Sequence, residues 1–176
     1  MLPVQTKPNL LTSENVPFVK PTGFREYDAR WLFEEEINLL GIQKVGRALA
    51  EIFEHHGIEK KIVVGHDFRS YSQNIKNALI TGLMNGGMEV YDVGLAVSPM
   101  AYFAQFHLDV PGVAMVTASH NDNGWTGIKM GMHRPKTFGP DEMLALKKLV
   151  LEEDLPPLGH GKLTHHPEIS EAYIKD

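Results

Sequence analysis

Short apolar runs that alternate with segments of helical period constrain the fold of this chain more than any other feature. Residues 61–65 hold Ile62, Val63 and Val64 in succession, and residues 113–117 hold Val113 to Val116 in the same way. Apolar residues in succession, rather than in alternation, mark a strand buried on both faces. Residues 89–93 read as another strand, and residues 128–130 as a fourth. Between and around them lie helical patterns. Ile42, Val45, Leu49, Ile52 and Phe53 keep the 3.6-residue period up to Gly57, and Ile75, Leu79 and Leu83 line a helix that Gly86-Gly87 ends. Ser70 and Gln73 have the spacing of a capping box for that helix. Ser98-Pro99 suggests an N-cap followed by proline at the first helical position, for a short helix through Tyr102 and Phe106. Pro140, Asp141 and Glu142 open a further helix, whose acidic first turn suits the helix dipole. The alternation predicts an α/β fold: a single domain, built as a three-layer α/β/α sandwich around a mixed, mostly parallel sheet. Ligands of such sheets bind at the carboxyl ends of the strands, which directs attention to the loops after Val64, Val93 and Thr117.

The 176 residues are enough for one domain of ordinary size, and 43% hydrophobic composition can fill its core without a metal or disulfide staple. The absence of cysteine excludes a disulfide framework, a thiolate metal site and a thiol nucleophile. A net charge of −5 argues against a nucleic-acid partner. No stretch approaches the roughly 20 apolar residues that span a bilayer, and no secretory signal opens the chain. The expectation is a cytoplasmic enzyme domain with no membrane partner.

Three regions are expected along the chain. Residues 1–22, with Pro3, Pro8, Pro17 and Pro21, read as an extended arm. Residues 23–155 form the domain. Residues 156–176 read as a linker with Pro156, Pro157 and two glycines, then the start of an amphipathic helix (Ile169, Tyr173, Ile174) that leads out of the domain with nothing to pack on.

The chemistry-bearing residues concentrate in the loop after the third strand. There Ser119 and His120 are followed by Asn121, Asp122, Asn123 and Gly124, and Lys129 lies on the next strand. A serine leaving a buried strand offers a hydroxyl, a histidine moves a proton near neutral pH, and a lysine stabilises developing phosphoryl oxygens. A Ser–His hydrolase is disfavoured, because the Gly-x-Ser-x-Gly elbow is absent: Thr117 and Asn121 stand where it needs glycine. His55-His56 and His165-His166 show no ligand spacing, and Met84, Met88, Met100 and Met115 read as core filler.

Residues 117–121, with Gly127 and Lys129, resemble the active-site serine loop of the phosphohexomutases, the phosphoglucomutase and phosphomannomutase superfamily. That loop reads Thr-Ala-Ser-His-Asn-Pro and then Gly-x-Lys, so Asp122 departs from the pattern. Residues 24–30 (Phe24, Arg25, Glu26, Tyr27, Asp28, Ala29, Arg30) are similar to the family's N-terminal Phe-Arg-x-Tyr-Asp-Ile-Arg-Gly motif, with Trp31 in place of glycine. Residues 65–72 are similar to its Gly-Arg-Asp-x-Arg-x-Ser motif, with His66 in place of arginine. Only the first of the family's domains is matched. The magnesium, sugar and distal-phosphate loops of the other domains do not occur in this sequence.

The resemblance implies roles. Ser119 would carry a phosphoryl group and exchange it with a hexose phosphate (glucose or mannose 1- or 6-phosphate) through a hexose 1,6-bisphosphate, which also serves as activator. Arg30 and Lys129 would supply positive charge, and His120 would carry the sugar-hydroxyl proton. Asn121, Tyr27 and Arg69 would support the loop and its phosphate. Mg²⁺ would meet the phosphate on Ser119, its other ligands coming from a further domain of the same enzyme. The isolated chain is then expected to be inactive or nearly so. The alternative is a non-catalytic sugar-phosphate or phosphoprotein binding module derived from that domain.

Overall fold

A computed structural model describes residues 16–176. Seven strands form one sheet: β1 (Asp28–Leu32), β2 (Lys61–His66), β3 (Glu89–Leu95), β4 (Gly112–Val116), β5 (Trp125–His133), β6 (Lys136–Thr137) and β7 (Lys162–His165). The order is β1-β5-β4-β2-β3-β7, with β6 hairpinned onto β5. Pairings of β2 with β3, β2 with β4 and β3 with β7 are parallel; the three that involve β5 are antiparallel. Five α-helices cover the sheet: α1 (Leu39–His55), α2 (Ser72–Asn85), α3 (Ser98–His107), α4 (Pro140–Glu152) and α5 (Ile169–Lys175).

Two cores give the three layers. Residues of α1, α2 and α4 pack with Ile62, Val64, Val90, Ala114, Val116, Ile128 and Met130 on one face of the sheet. On the other face Val63, Val113 and Met115 pack with Met100, Ala101 and Ala104 of α3 and Ile169 of α5. Successive residues of β2 and β4 therefore serve opposite cores, which is why their apolar residues run consecutively. The first core depends on close backbone contact between α1 and α2. A Cβ at Gly46 would lie 2.4 Å from the Leu79 carbonyl oxygen, and one at Gly82 2.0 Å from that of Gln43. Among the described residues no helix is long and apolar enough to cross a membrane.

Several boundaries depart from the sequence expectation. Helix α2 starts at Ser72 rather than after Ser70, and its N-cap Tyr71 makes no side-chain cap. The Ser72 hydroxyl turns instead to the Asp67 carboxylate, at 2.6 Å. Ser98 is already the first residue of α3, with Val97 at the N-cap position. Of the arm expected over 1–22, residues 1–15 lie outside the described residues. Residues 16–22 are docked: the Lys20 N–H donates to the Glu36 carbonyl at 2.7 Å, and the Trp31 indole N–H donates to that of Lys20 at 2.9 Å.

The expected linker is in part a strand. β7 extends the sheet beside β3, and Arg47 Nε donates to the Pro156 carbonyl at 3.0 Å. The terminal helix also has a partner: Ile169 is fully buried, and Tyr173 meets Phe103 of α3 edge-on. Within residues 156–176, β7 thus extends the sheet edge and α5 packs against α3.

Candidate active site

β1 and β5 place the cationic residues. In β1, Ala29 and Trp31 point into the main core, so Asp28 and Arg30 face the opposite side. In the antiparallel register Lys129 lies opposite Asp28, and Gly127 opposite Arg30, which puts Lys129 on the same side of the sheet. Gly127 makes room there: a Cβ on it would lie 2.4 Å from the Ala29 carbonyl and 3.0 Å from Arg30 Cγ. Arg30 donates to Asp28 from Nε (3.0 Å) and Nη2 (2.8 Å), and from Nη1 to the Asn121 side-chain oxygen at 2.5 Å. The ion pair with Asp28 and the grip on the serine loop are therefore made by one guanidinium. Lys129 is half-buried and makes no ion pair among the described residues.

Ser119 sits at the apex of the loop that joins β4 to β5. Its φ of +56° is in the left-handed region, which L-residues enter only when the surroundings fix them there. The turn is closed by the Asn121 N–H donating to the Ala118 carbonyl (3.1 Å), and the Ser119 N–H donates to Thr117 Oγ1 (3.0 Å). Ser119 and His120 are both exposed, and Ser119 Oγ lies 3.4 Å from His120 Nδ1, at the outer edge of hydrogen bonding. The loop runs on into an antiparallel strand and not into a helix, so no strand–turn–helix nucleophile elbow is built.

Arg69 and Asp67, from the loop after β2, hold the serine loop from beneath. Arg69 Nη2 donates to the carbonyls of Asn121 (2.7 Å) and Ser119 (3.4 Å), and Nη1 pairs with Asp67. Burial pushes the Asp67 carboxyl up. Hydrogen bonds from Ser72, Thr117 and the Arg69 N–H, with the Arg69 charge, outweigh that and hold it below its ordinary value. His66 turns its ring to the neighbouring Asp67 carbonyl, at 2.8 Å. Tyr27 is 59% exposed just ahead of β1 and makes no hydrogen bond among the described residues. The loop thus gathers Ser119, His120, Asn121, Arg30 and Arg69 into one contact network. Lys129 and Tyr27 stand beside it without bonding to it.

Sequence reasoning missed Tyr71. Its hydroxyl donates to the Trp125 carbonyl (2.9 Å) and accepts from the Gly124 N–H (2.7 Å), while its ring stacks on Phe33. A tyrosine one residue before a helix carries no sequence signal of a contact more than fifty residues away.

No three His, Asp or Glu side chains among the described residues are placed to hold a metal ion. The residues around Ser119 therefore do not by themselves fit Mg²⁺. Acidic ligands for it would have to come from outside these residues.

Comparison with known proteins closes the gap between geometry and lineage. Residues 21–156 match the family model for phosphoglucomutase/phosphomannomutase, alpha/beta/alpha domain I. A phosphomannomutase of Escherichia coli K12 is 35% identical over 158 residues, which cover 88% of this chain and 34% of that protein. A phosphomannomutase of Klebsiella pneumoniae is 38% identical over 138 residues, covering 78% of this chain and 85% of that one. The crystal structure of a phosphoglucomutase/phosphomannomutase family protein from Burkholderia thailandensis superposes on 89% of the chain with a TM-score of 0.79 at 24% identity, a likeness of fold. The chain spans about a third of the length of the Escherichia coli relatives it matches. With the family model covering most of its length, the chain belongs to the phosphoglucomutase/phosphomannomutase family, of which it contains the alpha/beta/alpha domain I.

Proposed function

We propose that this domain carries the phosphoryl group of a phosphohexomutase on Ser119. The observation that supports the reading most directly is the serine loop itself. An exposed hydroxyl is set at a constrained apex facing a histidine, and the loop that carries it is gripped at Asn121 by two arginines. In the forward half-reaction, the free hydroxyl of a hexose 1- or 6-phosphate attacks phosphoserine 119. Its P–Oγ bond breaks as the new P–O bond forms, giving the hexose 1,6-bisphosphate. His120 takes the sugar-hydroxyl proton and passes it to Ser119 Oγ as that oxygen leaves. The bisphosphate then returns its other phosphoryl group to Ser119 by the reverse sequence, so phosphate has moved between O1 and O6.

Phosphoryl transfer needs mainly positioning and charge stabilisation. Lys129, held on the site face with no ion pair among the described residues, is suited to the phosphoryl oxygens as a point charge. Arg30 fixes Asn121, and Arg69 the loop backbone. Mg²⁺, when bound to the phosphate on Ser119, would neutralise charge, with acidic ligands drawn from outside the described residues. The relatives' names favour mannose phosphate, with glucose phosphate as the second substrate.

The test is covalent. The chain is incubated with glucose 1,6-bisphosphate and Mg²⁺, and its intact mass and peptide map are read. Turnover between the 1- and 6-phosphates is not expected of the isolated chain; the expected result is a single, slow transfer that leaves one phosphoryl group on Ser119 and none on Ser119→Ala, which keeps the wild-type circular dichroism. A chain that binds the bisphosphate yet leaves Ser119 unmodified would establish a binding module instead.

A further inference from the structure

We infer that Tyr71 is a positioning residue for Ser119, acting through the second half of the serine loop; the inference rests on the phosphoryl-carrier reading above. The loop is held at two places. Near its apex, Arg30 and Arg69 fix Asn121. Near its end, Tyr71 and Phe33 fix Gly124 and Trp125: the Gly124 N–H donates to Tyr71 Oη, Tyr71 Oη donates to the Trp125 carbonyl, and the Phe33 N–H donates to the Gly124 carbonyl at 2.9 Å. Between these anchors lie Asp122 and Asn123, both exposed. Neither restricts its backbone as proline does. Gly124 itself has φ +99°, a conformation open to glycine and strained for other residues. Within this stretch the Trp125 N–H donates to the Asp122 carbonyl at 3.3 Å, and the phenol ties the end of that turn to α2.

The phenol suits this work. It serves one backbone donor and one backbone acceptor on adjacent residues, so a single side chain fixes the orientation of the Gly124–Trp125 segment. Burial raises the Tyr71 hydroxyl above its ordinary pKa, so it keeps its proton and goes on donating across the neutral range. Its ring lies 5.5 Å from that of Phe33, nearly parallel, and Phe33 is the residue after β1. The strand that carries Arg30 and the loop that carries Ser119 are therefore tied to the same aromatic pair. A displacement of about 1 Å at a reacting group costs on the order of a hundredfold in rate, so slack at Gly124 reaches the chemistry at Ser119.

The experiment compares the chain with Tyr71→Phe, which keeps the stack on Phe33 and deletes only the hydroxyl. Amide hydrogen exchange of peptides covering 117–125 is expected to quicken at least tenfold. Peptides from β4 and α2 should be unchanged, and phosphoryl uptake by Ser119 from glucose 1,6-bisphosphate should fall at least tenfold. A second substitution, Asp122→Pro, restricts the loop by another route. The Asp122 N–H donates no hydrogen bond among the described residues, so proline removes none. Tyr71→Phe/Asp122→Pro is expected to recover most of the exchange protection and most of the uptake. Exchange that stays within twofold of wild type, exchange that quickens equally in α2 and β4, or uptake unchanged in a loosened loop would each overturn the inference. A wild-type chain that takes up no phosphoryl group would overturn the phosphoryl-carrier reading, and with it any role for Tyr71 in that chemistry, even if the loop loosens as described.

Discussion

Asp67 is the residue on which the support of the serine loop converges. One carboxylate oxygen accepts from Ser72 (2.6 Å) and from the Arg69 N–H (3.2 Å), and the other pairs with the Arg69 guanidinium, which in turn reaches the Asn121 carbonyl. Its pKa is lowered in the fold, so the folded state favours the carboxylate more than the unfolded state does. The stabilisation is complete above the ordinary value of 3.8 and is lost as pH falls through the lowered folded value. We expect the loop to keep its order at pH 5 and to loosen only in stronger acid. Asp67→Asn should remove the ion pair at every pH and cost about 3 kcal/mol, because the Arg69 charge is left buried without its partner. It should also flatten the acid limb of the stability profile. Urea titrations from pH 7 down to pH 3 measure both; an unchanged midpoint at pH 7 would show that Asp67 holds nothing.

At the scale of elements, the crossing of α1 over α2 sets a tight steric limit between two backbones. Gly46 and Gly82 let the two backbones touch. Gly82→Ala places a methyl 2.0 Å from a backbone oxygen, which cannot turn away as a side chain can. The helices must part, at a cost of about 2 kcal/mol and a Tm several degrees lower by calorimetry, despite the higher helix propensity of alanine. An unchanged Tm would mean that α2 shifts freely. Elements such as β2 and β4 were legible in the sequence because burial on both faces prints as a continuous apolar run. β1 was not read as a strand, since one of its faces carries Asp28 and Arg30 into the site and breaks the apolar pattern. β7 hid for a related reason: Lys162, Leu163, Thr164 and His165 lie on an edge strand, mostly exposed. The candidate site was legible as short motifs around Ser119, Arg30 and Arg69, and the loop-supporting place of Asp67 beside Arg69 was legible with them. Tyr71 and Phe33 were not, because they act through contacts that only the folded chain brings together.

Across the described residues, the sheet order sets the serine loop and the C-terminal segment at opposite sides of the sheet. The serine loop belongs to the β1-β5-β4 side, whereas β7 lies at the opposite edge beyond β3. There the segment after α4 is strapped down: the Leu158 N–H donates to the Asn85 carbonyl (2.7 Å), and the His166 N–H to that of Asp92 (2.8 Å). This edge also covers a buried ion pair between Lys76 and Asp92, at 2.5 Å, with His165 Nδ1 3.2 Å from the same carboxylate. Ile169 anchors α5 in the core beneath α3. Ile169→Ala should therefore cost about 2–4 kcal/mol, the range for emptying a fully buried aliphatic site. The loss should be local to one side of the molecule. Exchange protection is expected to fall in β7, α5 and α3, while the peptides covering 117–125 keep wild-type protection, because their supports at Arg30, Arg69 and Tyr71 touch none of the C-terminal segment. Equal loss of protection in the serine loop would show that the two edges open as one unit, and that the C-terminal strand and helix help to hold Ser119 in place.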